Sequence, residues 1–155
     1  MTWLVLASCA IANAAIANDA ATLDRIFPRS TLQIATPDAR LHTFDIWVAA
    51  DDARRSRGLM FVRELGDSEG MLFIYPQAHP VAMWMKNTYI SLDMLFVSAD
   101  GRVAHVVENT EPESLTTIES KVPVLAVVEL KAGTAARLKI RPGARVMHDA
   151  FASGR

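Results

Sequence analysis

From Leu41 to Met147 the apolar residues come in short runs, each closed by Gly, Pro, Asn or Asp before a helix of ordinary length could form. Such punctuation favours strands over helices. Leu41-His42-Thr43-Phe44-Asp45-Ile46-Trp47-Val48-Ala49 alternates, placing Phe44, Ile46 and Val48 on one face. Gly70 to Tyr75 is an apolar strand closed by Pro76, and Val81 to Met85 and Ile90 to Val97 are two more, joined through Lys86-Asn87-Thr88. Ser98-Ala99-Asp100-Gly101 is a hairpin turn that returns Arg102 to Val107 antiparallel. A polar loop follows over 108–123, and then Val124 to Leu130 is apolar enough for a central strand. Ala144 to Met147 reads as a last strand. Asp51-Asp52 caps a short helix that Gly58 stops, and a second helical stretch ends near Leu138. The expected fold is mainly β: one domain over 31–150, a sandwich or barrel of about seven short strands with one or two short helices.

A chain of 155 residues with 51% apolar content has room for one real core and is not disordered. Its net charge of −1 argues against a nucleic-acid binder that works by neutralising phosphates. Cys9 is the single cysteine, which excludes a disulfide framework and any multi-cysteine metal site. With no coiled-coil or amphipathic stripe, a monomer is expected.

Residues 1–18 carry no charged side chain, and Ala15-Ile16-Ala17 is the small-x-small pattern that a signal peptidase reads. Residues 1–17 are therefore expected to be a signal peptide, directing the chain to the periplasm or beyond, with 18–30 as a loose lead-in. Leu6-Ala7-Ser8-Cys9 also matches a lipobox, so a lipid anchor at Cys9 is the alternative address. The apolar run is too short to span a bilayer as a stable helix, and a buried N-terminal helix is the plain structural reading.

The distinctive blocks are Arg57-Gly58-Leu59-Met60-Phe61, Gly70-Met71-Leu72-Phe73, Met83-Trp84-Met85-Lys86-Asn87-Thr88 running on to Leu92-Asp93-Met94-Leu95-Phe96, and Val128-Glu129-Leu130-Lys131-Ala132-Gly133. In this order and spacing they resemble the family called domain of unknown function 192, from about Leu41 to Met147. Ser91 stands where that family usually has proline, and Val62 where it usually has arginine. The resemblance implies a compact, mainly β domain, often exported, with no established activity or cofactor.

The chemistry is argued from the residues. On a strand, Met83 and Met85 share one face and Trp84 and Lys86 the other. Met60, Met71 and Met94 lie in neighbouring blocks, and converging thioethers suit Cu(I), although methionine is also an ordinary core filler. Lys86, Asn87, Thr88 and Asp93 lie between apolar strands, with Arg57 and Glu129 in blocks expected nearby. Buried charges need partners. Asp93 either fixes the connection by accepting hydrogen bonds, or belongs to a pocket where Lys86 and Arg57 hold a carboxylate, phosphate or sugar oxygen and Trp84 offers a platform. A hydrolase using Asp93 and Glu129 as paired carboxylates is the rival from another class. His42, His79, His105 and His148 have no metal-ligand spacing, and Ser91 lacks the glycines of a nucleophile elbow. The leading expectation is a small-ligand or anion-binding accessory module with Arg57, Trp84, Lys86, Asn87, Thr88 and Asp93 at its site. The alternatives are the glycan-directed hydrolase and a Cu(I)-binding protein using Met83 and Met85.

Overall fold

The computed structural model describes residues 19–154; the proposed signal peptide and Cys9 lie outside them. Residues 19–26 are helical (α1) and lead into β1 (Arg29–Ala35), β2 (Leu41–Ala49), α2 (Asp52–Arg57) and β3 (Glu69–Met83). The strands β4 (Leu92–Val97), β5 (Val103–Val107) and β6 (Ile118–Lys131) follow, then α3 (Thr134–Leu138), β7 (Arg145–Met147) and a closing 3-10 turn. The seven strands form one sheet in the order β5-β4-β6-β3-β2-β1-β7. Among the described strands the pairings are antiparallel except β2 with β3, whose crossover contains α2. The sheet curls into a half-barrel. Its edge strands come round towards each other, where Arg102 bridges to Arg145 and Val103 N–H donates to the Ala144 carbonyl at 2.9 Å.

Curling divides the core between two faces. One face gathers Leu32, Phe44, Ile46, Leu72, Leu95, Val128 and Leu130 under α3 and β7. The other gathers Trp47, Met71, Phe73, Met94, Phe96 and Val127, and is covered by Leu23 and Phe27 of the N-terminal segment and by Leu59, Val62 and Leu65 after α2. Strand residues alternate between the two, as a period of two requires.

The strand count matches the sequence reading, but its members differ. The expected strands 70–75 and 81–85 are one long strand, β3. Pro76 and Pro80 are tolerated there because the β3–β6 ladder shifts register between Ile74 and His79 and again between Pro80 and Ala82. The expected polar loop ends early, since β6 begins at Ile118 instead of Val124. The lead-in is not loose: α1 buries Leu23, four residues before the equally buried Phe27, and β1 lies in the stretch left unassigned. Trp47 Nε1 donates to Asp24 Oδ1 at 2.8 Å, and Asp19 Oδ2 accepts from the backbone of Arg63 and Glu64. These bonds fasten α1 to the sheet and to the segment after α2. The cap at Asp51 is as expected: its carboxylate accepts from Arg54 N–H at 2.8 Å, and Gly58 ends the helix.

Candidate functional site

Where α2 and its following turn cross the sheet, they leave a cavity of about 400 Å³. Its lining includes Arg57, Met60, Tyr75, Met83, Trp84 and Glu129, with Lys86 and Thr88 alongside. The floor comes from β3 and β6. Met71 pairs with Glu129 across the ladder, so Glu129 shares a face with Met71 and Val127. A carboxylic acid thus stands where the strand pattern calls for an apolar side chain.

Glu129 is 4% exposed and, among the described residues, has no side-chain hydrogen bond or ion pair. Burial alone pushes its pKa up to about 8, so it is mainly protonated at neutral pH. Tyr75 stands close enough to feel it. Burial and the Glu129 charge push the phenol up to about 12, against the opposing pull of Arg55. The Tyr75 hydroxyl donates to Met83 Sδ at 3.6 Å.

The cations are arranged differently. Arg55 is committed: its guanidinium donates to the Ala50 and Ile74 carbonyls and pairs with Asp52. Arg57 ends α2, and the left-handed Gly58 turns the chain immediately after it, over Phe73. The Arg57 guanidinium donates to the Met60 carbonyl and lies 4.9 Å from the Phe61 ring centroid. Partial burial lowers its pKa below the ordinary guanidinium value. Lys86 Nζ sits 5.1 Å from the ring of Trp84, itself 52% exposed at the rim. Among the described residues neither Arg57 nor Lys86 meets a carboxylate within ion-pair distance.

Two left-handed residues hold the rim. Phe61 (φ 69°) and Asn87 (φ 55°) are joined by a Phe61 N–H to Asn87 carbonyl bond of 2.9 Å. The left-handed region suits asparagine but strains phenylalanine, and strain of this kind persists only where surrounding contacts enforce it. Asn87 Nδ2 also reaches Met60 Sδ at 3.9 Å, and Thr88 Oγ1 donates to the Lys86 carbonyl. Asn87 therefore shapes the turn that presents Lys86 and does not itself line the cavity.

Of the residues expected at a site, the fold brings Arg57, Trp84, Lys86 and Thr88 to one cavity, with Asn87 beside it. Asp93 is not there. It is fully buried on the opposite face, where its carboxylate accepts from Asn109 N–H (2.9 Å) and Ala135 N–H (2.8 Å), tying β4 to the first turn of α3. This is the hydrogen-bonding role that the sequence left open for it. The Asp93 and Glu129 carboxyls thus lie on opposite faces of the sheet, whereas a hydrolytic pair must flank one bond. The methionines divide as well. Met71, Met85 and Met94 are buried core residues, while Met60 and Met83 line the cavity with their sulfurs already engaged by Asn87 and Tyr75.

A second cavity, of about 480 Å³, is lined by Ser30, Arg145, His148 and Phe151 among others. Ser30 Oγ lies 3.0 Å from His148 Nε2, the spacing of a nucleophile and its base. Ala150 N–H, however, donates to His148 Nδ1 at 3.1 Å. Burial holds the imidazole pKa below its ordinary value, so the neutral ring keeps its proton on Nε2. His148 therefore donates to Ser30 and does not draw its proton. This pair fastens the C-terminal turn to β1.

Comparison with known proteins agrees with this architecture. A crystal structure from Sinorhizobium meliloti 1021, of a protein provisionally described as a transcription regulator, superposes with a TM-score of 0.78 at 40% identity, covering 80% of this chain and 96% of that one. A protein of unknown function from Novosphingobium aromaticivorans DSM 12444 superposes with a TM-score of 0.75 at 38% identity, covering 77% and 85%. No curated protein is significantly similar to the chain. The DUF192 family model, described as an uncharacterized ACR, matches residues 33–148. With that match over most of its length, the chain belongs to the DUF192 family.

Proposed function

We propose that the domain is a small-ligand-binding module whose cavity between α2, the 84–88 turn and the β3–β6 floor takes a small organic anion. The observation that carries this reading is the pair of cations Arg57 and Lys86, which line one cavity without a carboxylate partner among the described residues. A desolvated guanidinium gains most from an anion able to accept two of its hydrogen bonds. Beside it Trp84 and Met83 supply apolar surface, and a concave space of this size that combines apolar wall with a few charged groups is of the kind that takes small molecules. The uncharged first eighteen residues support a periplasmic or secreted setting for this binding. Among the described residues no helix is long and apolar enough to cross a membrane.

The test is isothermal titration of the purified chain with simple carboxylates, amino acids, sugar acids and glycerol phosphate. A binder whose affinity falls at least tenfold in Lys86→Ala, with the fold kept, supports the reading. If no compound in the panel binds, the reading fails.

A further inference from the structure

The cavity holds charge of both signs, and apart from the Asp52–Arg55 pair at its lining those charges do not meet. Glu129 is buried at its floor with no partner, although Arg55, Arg57 and Lys86 line the same space. None of the described Lys or Arg side chains comes within 4.0 Å of its carboxyl oxygens, and no charge on the protein contributes to its perturbation. An internal Arg57–Glu129 or Lys86–Glu129 pair would neutralise the site. Its absence leaves the cavity with unpaired groups for both an anion and a cation.

Leu59, Met60, Phe73 and Met83 add apolar surface to the same lining. A simple carboxylate would leave Glu129 as it is. Burying a carboxyl without a bond costs folding free energy, which only a ligand bringing a donor or a positive charge can return.

We propose that the ligand is a zwitterion, an apolar amino acid or short peptide whose free ammonium group pairs with Glu129 while its carboxylate lies on Arg57 and Lys86. This rests on the anion-binding reading of the same cavity and adds the second charge to it. On binding, the ammonium group donates to the Glu129 carboxylate, and the proton that Glu129 otherwise carries passes to solvent. Trp84 then covers the apolar body at the rim.

The experiment titrates the full chain with leucine, leucyl-leucine and 6-aminohexanoate, each beside its N-acetyl derivative. Acetylation removes the positive charge and keeps the carboxylate. The proposal expects at least one free amine to bind at least tenfold more tightly than its acetylated form, with Glu129→Gln reducing that preference to about twofold or less. Gln keeps the shape of the buried side chain, and the acetylated compounds probe the wild-type protein directly, so that arm does not depend on a variant folding. The best of the three free amines fixes the spacing between the charges and separates amino acid from peptide. Equal binding of the free and acetylated forms overturns the zwitterion and leaves the anion site standing. Unchanged discrimination in Glu129→Gln also overturns it. Failure of every free and acetylated compound overturns the zwitterion, while sugar acids and glycerol phosphate decide separately whether the anion site survives.

Discussion

Asp93 and Glu129 lie on neighbouring strands one register position apart, since Asp93 pairs with Leu130 and Met94 with Glu129, yet their carboxyls point to opposite faces of the sheet. Both are buried. Asp93 has two backbone donors and Glu129 has none, so the pair separates a carboxylate that builds the fold from one that the fold tolerates.

Glu129 makes stability depend on pH in an uncommon direction. Its folded-state pKa is raised from 4.5 to about 8, so between those values the folded chain binds more protons than the unfolded one. Its contribution is therefore fullest below pH 4.5, declines as pH rises through the window, and is gone above about 8. The difference corresponds to about 5 kcal/mol. Melting temperatures from pH 5 to pH 9 should fall more steeply for the wild type than for Glu129→Gln. Parallel curves would contradict the assignment.

Asp93→Asn should cost about 2–4 kcal/mol in denaturant unfolding, because an amide replaces a buried carboxylate that accepts two backbone N–H bonds. Ligand affinity measured on the folded fraction should change by less than about twofold. A large loss of affinity with stability intact would return Asp93 to the site.

Gly70 pairs with Leu130, and a Cβ there would come within 2.6 Å of the Glu129 carbonyl oxygen and 2.7 Å of Leu130 Cδ2. Gly70→Ala must therefore spread β3 from β6 directly beneath the cavity. We expect a loss of about 3 kcal/mol or more, read from chemical denaturation. A loss below 1 kcal/mol would mean that the strands separate easily there.

Trp47→Phe keeps an aromatic ring in the core but removes the 2.8 Å bond to Asp24, and with it one tie between α1 and the sheet. The expected cost is about 1–2 kcal/mol. It should be accompanied by faster amide hydrogen exchange over residues 19–26. Unchanged exchange would place the anchoring of α1 in Leu23, Phe27 and the Asp19 bonds instead.

The strand pattern was readable because alternation and turn residues are local signals. It failed where tertiary context decided: Pro76 and Pro80 look like strand breakers until β6 is seen to slip register beside them. Residues 19–30 offered only an isolated Leu23–Phe27 spacing, which acquires meaning once the sheet supplies a face to cover. At the site, Arg57, Trp84, Lys86 and Thr88 were legible because their blocks were distinctive. Asp93 was misplaced because spacing along the chain does not give the face. Glu129 was noticed only as half of a carboxylate pair. Counting by twos from Val127 puts it on the cavity side, and a charge inside that run was the signal available.

The approach of the two edge strands has a consequence for what the molecule offers its surroundings. An open sheet ends in rows of free backbone donors and acceptors that can recruit another extended chain. Here Val103 donates to the Ala144 carbonyl and Val146 to the Gly101 carbonyl, so those edges spend part of their hydrogen-bonding capacity on each other. A domain closed in this way has less of a template for adding foreign strands, and its exchange with the outside is left to the cavities and side chains on its faces.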